Sequence, residues 1–329
     1  MTATRRAALI VVTVVIGVPL AGAMYQRISV RREARRFPPS GRLIDVGGRR
    51  LHLICEGSGR PTVIFESSGL GNSTSSEEVR ADVRSRTQVC AYDRMGMGWS
   101  DPGPRDVSAG VLVDDLERLL DRAALGPPYI LVPASIGGLT VELFARRHPD
   151  RVAGLVFVDA ADSGLAERTL PMLRAMGMRL QALCLAGTAA RFGLIRFLDP
   201  LQLRRQRDDA GARTIALTYR AEPLDTVCSM LRGLPRSGEE LRAAPPLAPD
   251  VPLMVLSHDR PEGFLPPGYD SYVADLDPLW RELQQNLARR STRGTWRVVP
   301  NSGHLIAGSQ PHAVAAAIVE ILDLVAERH

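Results

Sequence analysis

Lysine is absent from this chain of 329 residues, so all 41 basic residues are arginines. With abundant alanine, this pattern is typical of a GC-rich coding sequence and does not indicate a particular chemistry. Net charge is also scarce outside the amino terminus. The first 36 residues hold seven arginines and one glutamate, and without them the formal charge of +5 becomes −1. A nearly neutral body does not favour nucleic acid as a partner.

Cysteine is sparse, and no C-x-x-C pair occurs among Cys55, Cys90, Cys184 and Cys228. This absence disfavours a zinc site and a thioredoxin-like redox motif. Isolated core cysteines are one interpretation, because free cysteine buries readily. A Cys55–Cys90 disulfide is the alternative if the domain is exported and the two strands are neighbours.

Charge is missing altogether from Ala7 to Met24, a run of eighteen residues flanked by arginines. This length is at the lower limit for a helix that spans a bilayer. A cleavable signal peptide is the alternative, because Ala21-Gly22-Ala23 matches a small-residue cleavage site. We favour an uncleaved anchor over residues 1–25, followed by a basic linker over 26–40. Five arginines follow the run and two precede it, so the charge count favours a cytoplasmic downstream side, but the side stays open.

What is present is an alternation of short apolar runs with helical patterns. Buried strands are predicted at Thr62–Glu66, Val89–Tyr92 and Val152–Val158, which indicates a mainly parallel sheet covered by helices on both faces. The alternation stops over residues 163–249, which are helical in pattern and poor in strands, and resumes at Val251. We therefore predict a core over 41–162 and 250–329 with an inserted helical cap. With 45% hydrophobic residues, the chain can bury a large core.

The most informative segment runs from Tyr129 to Arg147. A strand-like run is followed by Ser135, two glycines and an apolar-periodic helix. This order predicts a sharp turn that presents a serine hydroxyl above a helix amino terminus. Far downstream, His304 lies in an N-S-G-H loop after another strand-like run, where it would serve as the base that activates the serine.

These segments resemble the α/β-hydrolase superfamily, over residues 41–329. The resemblance rests on the Ser135 turn, the D-R-x-G-x-G-x-S run at 93–100 and the S-G-H loop at His304. It implies an α/β fold with an eight-stranded, mostly parallel sheet. It also implies a serine nucleophile and a histidine base without a metal or an organic cofactor. The backbone N–H groups of Leu70 and Ile136 would form the oxyanion hole.

The acid of the triad is open at the sequence level. The family places it after the strand at Val251–Leu256, so Asp259 is the first candidate. Asp159, at the end of the strand that follows the nucleophile helix, is the alternative acid, and Asp162 and Glu262 are further candidates. His258 is interpreted either as a residue that supports the triad from behind or as incidental. Asp93 and Arg94 are interpreted as a structural salt-bridged turn.

The resemblance implies a carboxylic-ester hydrolase that acts through an acyl-enzyme on a small-molecule ester. The predicted anchor beside the bilayer suggests lipid-like esters as the hypothesis for this substrate. Acyl transfer, lactonase, peptidase and cofactor-free haloperoxidase-like activities at the same site stay open. Epoxide hydrolases and haloalkane dehalogenases use an aspartate nucleophile, so Ser135 argues against both. The turn departs from G-x-S-x-G, since Pro133 occupies the position of the first glycine. A catalytically inactive, membrane-anchored binding protein is therefore the alternative from another class.

Overall fold

The computed structural model describes residues 16–164, 177–205, 208–261 and 270–327. In these residues one eight-stranded sheet has the order β1-β2-β4-β3-β5-β6-β7-β8. Only β2 is antiparallel to its neighbours, which confirms the predicted, mostly parallel sheet. The strands are β1 Arg42–Asp45, β2 Arg50–Glu56, β3 Thr62–Glu66, β4 Val89–Tyr92, β5 Tyr129–Pro133, β6 Val152–Val158, β7 Leu253–His258 and β8 Gly294–Val299.

Helices cover both faces of the sheet, as continuous apolar strands require. Each face has its own buried cluster, one around Leu116 and Phe144 and the other around Val132 and Ile318. The helices before the cap are α1 Val18–Arg36, α2 Glu77–Val83, α3 Ala109–Arg122 and α4 Gly137–Arg147. The helices after it are α9 Asp270–Ala288, α10 Ile306–Ser309 and α11 Pro311–Ala326.

The described residues between β6 and β7 form a helical layer, in agreement with the strand-poor pattern of the predicted cap. Its helices are α5 Gly177–Arg191, α6 Leu194–Leu198, α7 Asp209–Thr218 and α8 Ala221–Ala243. A disulfide between Cys184 and Cys228 joins α5 to α8. A second disulfide joins Cys55 to Cys90, which are directly opposite each other on β2 and β4. The interpretation of all four as isolated thiols is therefore wrong.

The prediction of a linker over 26–40 is wrong for residues 26–36, because these residues belong to α1. Tertiary contacts with the cap hold this arginine-rich helix in place. Gln26 is buried and donates from Nε2 to the carbonyl of Tyr219 over 2.8 Å. Glu33 accepts two hydrogen bonds from the Arg196 guanidinium, at 2.5 and 2.9 Å.

Residues 1–15, which include half of the predicted membrane anchor, lie outside the described residues. Within the described part of the chain, every helix is too short or too polar to cross a bilayer.

Candidate active site

Ser135 lies between the end of β5 and the start of α4, with a φ of 52°. A positive φ is unusual for a residue other than glycine, and it turns the side chain out of the sheet edge. The turn is possible because Gly137 and Gly138, the second and third residues after the serine, have no side chain. A Cβ on Gly137 would lie 2.7 Å from the Ser67 carbonyl oxygen, and one on Gly138 would lie 2.0 Å from the Ala161 oxygen.

Pro133 does not disturb this turn, because it is the last residue of β5. The ladder continues past it, since the Ala134 N–H donates to the Glu66 carbonyl over 2.9 Å. A proline at a strand terminus removes no needed donor. The departure from glycine therefore leaves the backbone path of the turn intact.

His304 lies in the loop between β8 and α10 and connects the serine to a carboxylate. Its Nδ1 is 2.6 Å from Oδ2 of Asp159, and its Nε2 is 2.9 Å from Oγ of Ser135. An ionised carboxylate only accepts hydrogen bonds, so Nδ1 carries the proton and Nε2 can accept the proton of the serine. Ser135 and His304 are thus brought together as expected.

The structure brings Asp159 to His304, and not Asp259, which was the first candidate for the acid. Strand β7 extends to His258, so Asp259 begins the following loop, and its Oδ2 accepts the Asn301 N–H over 3.1 Å. Asp159, the alternative, follows directly on β6 and reaches His304 instead. Asp162 pairs with Arg290 over 2.5 Å. Glu262 lies outside the described residues.

Asp159 is fully buried and accepts four N–H donors. Besides His304, Nδ1 of His258 donates to Oδ2 over 2.6 Å, and Oδ1 accepts Trp280 Nε1 at 2.9 Å and the His258 backbone N–H at 3.2 Å. Burial alone would raise the pKa of Asp159. The hydrogen bonds and charges of the two histidines outweigh it and lower this pKa to about 2. The carboxylate is therefore ionised at neutral pH.

His258 extends the chain of contacts beyond Asp159. It is fully buried, and its Nε2 lies 2.7 Å from Oδ1 of Asp277 on α9. Burial lowers the pKa of His258, but hydrogen bonds and charges from Asp159 and Asp277 raise it above the ordinary value overall. Of the two interpretations of His258, the structure agrees with a residue that supports the triad from behind and not with an incidental position. No sequence signal pointed to Asp277 or Trp280, which follow from the packing of α9 against β7.

Asp159, His258 and His304 also bring three potential metal ligands within 4.8 Å of one another. Both imidazole Nδ1 atoms, however, lie 2.6 Å from the same carboxylate oxygen. Ligands at about 2.0–2.2 Å from a tetrahedral ion are separated by more than about 3 Å. The shorter contacts match charge-assisted hydrogen bonds. This cluster fits shared protons better than it fits a metal ion.

The two residues expected to supply oxyanion donors are Leu70, in the loop after β3, and Ile136, directly after Ser135. Among the described residues, the backbone N–H groups of Leu70 and Ile136 donate to no protein acceptor. Arg94 braces the loop, since its guanidinium bonds the carbonyls of Ser67, Ser68 and Gly69 and forms a buried ion pair with Glu66 at 2.7 Å. Arg94 therefore pairs with Glu66 and holds the loop. Asp93 has other partners: it accepts the N–H groups of Ser73 and Trp99 and pairs with His52.

A cavity of about 730 Å³ opens beside Ser135 and His304. Its walls are mainly apolar. The body contributes Phe65, Leu70, Val132, Val158, Ile306 and Val314, among others. The cap contributes Leu201, Leu203, Thr214 and Thr218. The site therefore combines an activated hydroxyl, two unused N–H donors and room for an apolar group.

A family model described as the alpha/beta hydrolase fold matches residues 61–221. Among curated proteins, the uncharacterized protein YqjL of Bacillus subtilis is 25% identical over 270 residues, which cover 81% of this chain and 85% of that protein. An uncharacterized protein of Schizosaccharomyces pombe is 28% identical over 230 residues, or 69% of this chain. The chain spans only 39% of that relative and 42% of another from Bacillus subtilis.

Two solved structures share the fold at low sequence identity. A thermophilic esterase from Thermogutta terrifontis superposes with a TM-score of 0.62 and 22% identity, over 86% of this chain and 97% of that one. An enol-lactonase from Burkholderia xenovorans gives a TM-score of 0.60 and 19% identity, over 86% of this chain and 100% of that one.

Proposed function

Because this chain belongs to the α/β-hydrolase superfamily, we propose that it is a serine hydrolase that cleaves carboxylic esters. The observation that carries this proposal is the continuous hydrogen-bonded path from Ser135 through His304 to Asp159. This path ends beside an apolar cavity with two unused backbone donors. Each part is what acyl transfer from an ester needs.

In the proposed reaction, Oγ of Ser135 attacks the ester carbonyl carbon and its proton passes to Nε2 of His304. The N–H groups of Leu70 and Ile136 stabilise the oxyanion that forms. Collapse of this intermediate breaks the ester bond, and the leaving alkoxide takes the proton from His304. Water then attacks the acyl-enzyme, giving its proton to His304, and release of the acid returns that proton to Ser135. Asp159 stays ionised and stabilises the imidazolium throughout.

A fluorophosphonate probe tests this proposal without knowledge of the natural substrate. The wild-type protein is expected to gain one covalent phosphonyl group, whereas Ser135→Ala should gain none. Mass spectrometry of the intact protein measures the adduct. An unlabelled wild-type protein would instead favour the inactive binding protein, and equal labelling of both proteins would place the reactive group elsewhere.

The apolar walls of the cavity support an ester with an apolar acyl or alcohol group as substrate. A series of p-nitrophenyl esters of increasing chain length measures this preference through kcat/KM. Each methylene that is buried is worth about 0.8 kcal/mol, or roughly fourfold in kcat/KM. A strict preference for the acetate ester would contradict an apolar substrate.

The proposal includes an uncleaved amino-terminal membrane anchor, supported by the uncharged run at 7–24. The disulfides Cys55–Cys90 and Cys184–Cys228 support a body on the oxidising, extracytoplasmic side of a bacterial membrane. Protease added to intact spheroplasts should then digest the body. Protection of the body until the membrane is opened would show that the body faces the cytoplasm instead.

A further inference from the structure

The exposed apolar side chains of this protein are concentrated in one region. Thirteen large hydrophobic residues are exposed in the described part of the chain, and twelve of them belong to segments 16–28 and 185–201. The most exposed is Phe197, at 71%, followed by Leu185, Leu20 and Met24. The only other member of the set is Leu305, beside the cavity. Such a concentration differs from the scattered exposed leucines of an ordinary soluble surface.

The two segments form one surface, which we name the apolar rim (residues 16–28 and 185–201). Helix α1 meets the cap so closely that a Cβ on Gly22 would lie 2.3 Å from the Phe192 carbonyl oxygen. One on Gly193 would lie 3.0 Å from the Gly22 oxygen. The buried Arg196–Glu33 ion pair fixes the same contact further along α1. The rim is therefore a rigid part of the fold.

We propose that the apolar rim inserts into the outer part of a phospholipid bilayer. Two features favour lipid over a protein partner. The uncharged run at 7–24 continues directly into α1, so a lipid-embedded segment would bring the rim to the bilayer. Exposed arginines at 27, 31, 32, 35 and 36 then follow along α1. This order, apolar and then basic, matches the acyl chains and anionic headgroups of one leaflet.

The rim is continuous with the cavity, because Leu201 belongs to the rim and also lines the cavity. An apolar ester dissolved in the bilayer could therefore reach Ser135 along an apolar path. This access route rests on the proposed esterase function, whereas the docking of the rim does not.

Site-directed spin labelling of the full chain in phosphatidylcholine–phosphatidylglycerol vesicles tests the docking. A label at Phe197→Cys should be accessible to oxygen and shielded from a water-soluble nickel chelate. A label at Glu327→Cys is the matched control, because Val314 on α11 lines the cavity and exposed Glu327 follows the far end of this helix, about 20 Å away at 1.5 Å per residue. This second label should show the reverse accessibility.

Accessibility of the Phe197→Cys label to the nickel chelate in vesicle-bound protein would overturn the proposal. So would spin–spin broadening that disappears on dilution with unlabelled protein, since it would show a second copy on the rim. A label at Leu198→Cys repeats the measurement at a second exposed position. Because no substrate is involved, the outcome is independent of esterase activity.

A different observation, the position of His258 between two carboxylates, carries a second inference. Nδ1 of His258 lies 2.6 Å from Asp159 and Nε2 lies 2.7 Å from Asp277. Each ring nitrogen thus has a carboxylate as its hydrogen-bond partner, which favours the doubly protonated ring and raises the pKa of His258. Within the described ranges, the other titratable or charged groups at this cluster are His304 and Arg281, and Nε of Arg281 donates to Asp277 over 3.1 Å. The neighbouring Asp259 carboxylate faces Asn301.

We infer that His258 is a positioning residue that tunes His304 through the carboxylate they share. Both histidines donate to the same oxygen, Oδ2 of Asp159. A cation on the far side of this oxygen draws on its charge and leaves less to stabilise protonated His304. We therefore expect the loss of His258 to strengthen the interaction of Asp159 with protonated His304.

The pH dependence of fluorophosphonate labelling tests this role. His258→Gln and Asp277→Asn should move the acidic limb of the rate profile to higher pH, by about half a unit to one unit. Asp259→Asn, one residue away, is the matched control and should leave the profile in place. A purely structural role would reduce the amount of folded protein without moving the limb. An unchanged limb in both variants would overturn the inference.

If the wild-type protein is not labelled, the proposed function fails, and NMR titration of the His304 ring decides this inference instead. The same upward shift is expected in His258→Gln. Asp277, which is partly exposed, provides the milder variant if a change at the buried His258 prevents folding.

Discussion

At the scale of single residues, Asp159 and Asp259 can be distinguished by one matched pair of variants. Asp159→Asn should lower kcat by roughly 10⁴-fold, because the amide neither holds the right imidazole tautomer nor stabilises its cation. Asp259→Asn should change kcat by no more than a few-fold, because that carboxylate caps the Asn301 N–H. Steady-state kinetics on a p-nitrophenyl ester measures both. The reverse order of the two losses would restore Asp259 as the acid.

His258 also makes the stability of the protein depend on pH. Its pKa is raised on folding, so its contribution is fully present below about pH 6.5, the ordinary value of histidine. The contribution is lost as the pH rises through the folded pKa. The free energy of unfolding of the wild type should therefore exceed that of His258→Gln most at pH 5–6, with a gap that narrows toward alkaline pH.

The contribution of Asp159 to stability depends on pH in the opposite direction. Its pKa is lowered to about 2, so its contribution is present above about pH 3.9 and disappears as the pH falls through 2. Urea titrations at several pH values follow both groups, and a constant gap between wild type and His258→Gln from pH 5 to 9 would contradict the assigned charge of His258.

At the scale of elements, the loop after β3 depends on Arg94. This guanidinium contacts three successive carbonyls of the loop and the buried carboxylate of Glu66. Burial raises the pKa of Glu66 despite the nearby Arg94 charge. Arg94→Met should therefore cost about 3–5 kcal/mol of unfolding free energy, because it leaves a buried acid unpaired.

The double variant Arg94→Met/Glu66→Gln is the control, since it removes the unpaired acid as well. Urea denaturation should show that it recovers part of the stability, while kcat stays low because the loop with Leu70 is still unsupported. Full recovery of kcat in the double variant would show that Arg94 acts only through Glu66.

The elements of the core could be predicted from the sequence where the signal is local. Ser135 could be predicted in this way, because strand, small residues and helix lie next to each other along the chain. The acid was not, because its identity depends on how far β7 extends. The two residues beyond the predicted strand end, Ser257 and His258, pair with β8 and displace Asp259 from the site. The part of helix α1 within the predicted linker was missed for a similar reason, since its partners Tyr219 and Arg196 are about 160 to 190 residues away.

At the scale of the whole molecule, two disulfides connect parts of the chain that are distant in sequence. Cys55 and Cys90 are 35 residues apart, and Cys184 and Cys228 are 44 apart. Each cross-link of this size should stabilise the fold by about 2–4 kcal/mol, mainly by restricting the unfolded chain. Reduction with dithiothreitol should accordingly lower the midpoint of urea unfolding.

The matched controls are Cys184→Ser/Cys228→Ser and Cys55→Ser/Cys90→Ser, each of which removes one disulfide. Dithiothreitol should lower the midpoint of urea unfolding less in each double variant than in the wild type, because one disulfide is already missing. Intact mass under non-reducing conditions, with and without alkylation, counts the bonds directly. Four alkylated thiols without reductant would contradict both.

The cavity, finally, is built from two parts of the fold, the body and the cap, and this division makes it suitable for redesign. Its floor carries the reactive groups on the rigid sheet, whereas its roof is formed by a few cap residues, among them Leu201, Leu203 and Thr214. A library restricted to the roof can change the shape offered to a substrate while leaving Ser135, His304 and their hydrogen bonds unaltered. In engineering terms, selectivity and reactivity are encoded in different segments and can be varied one at a time.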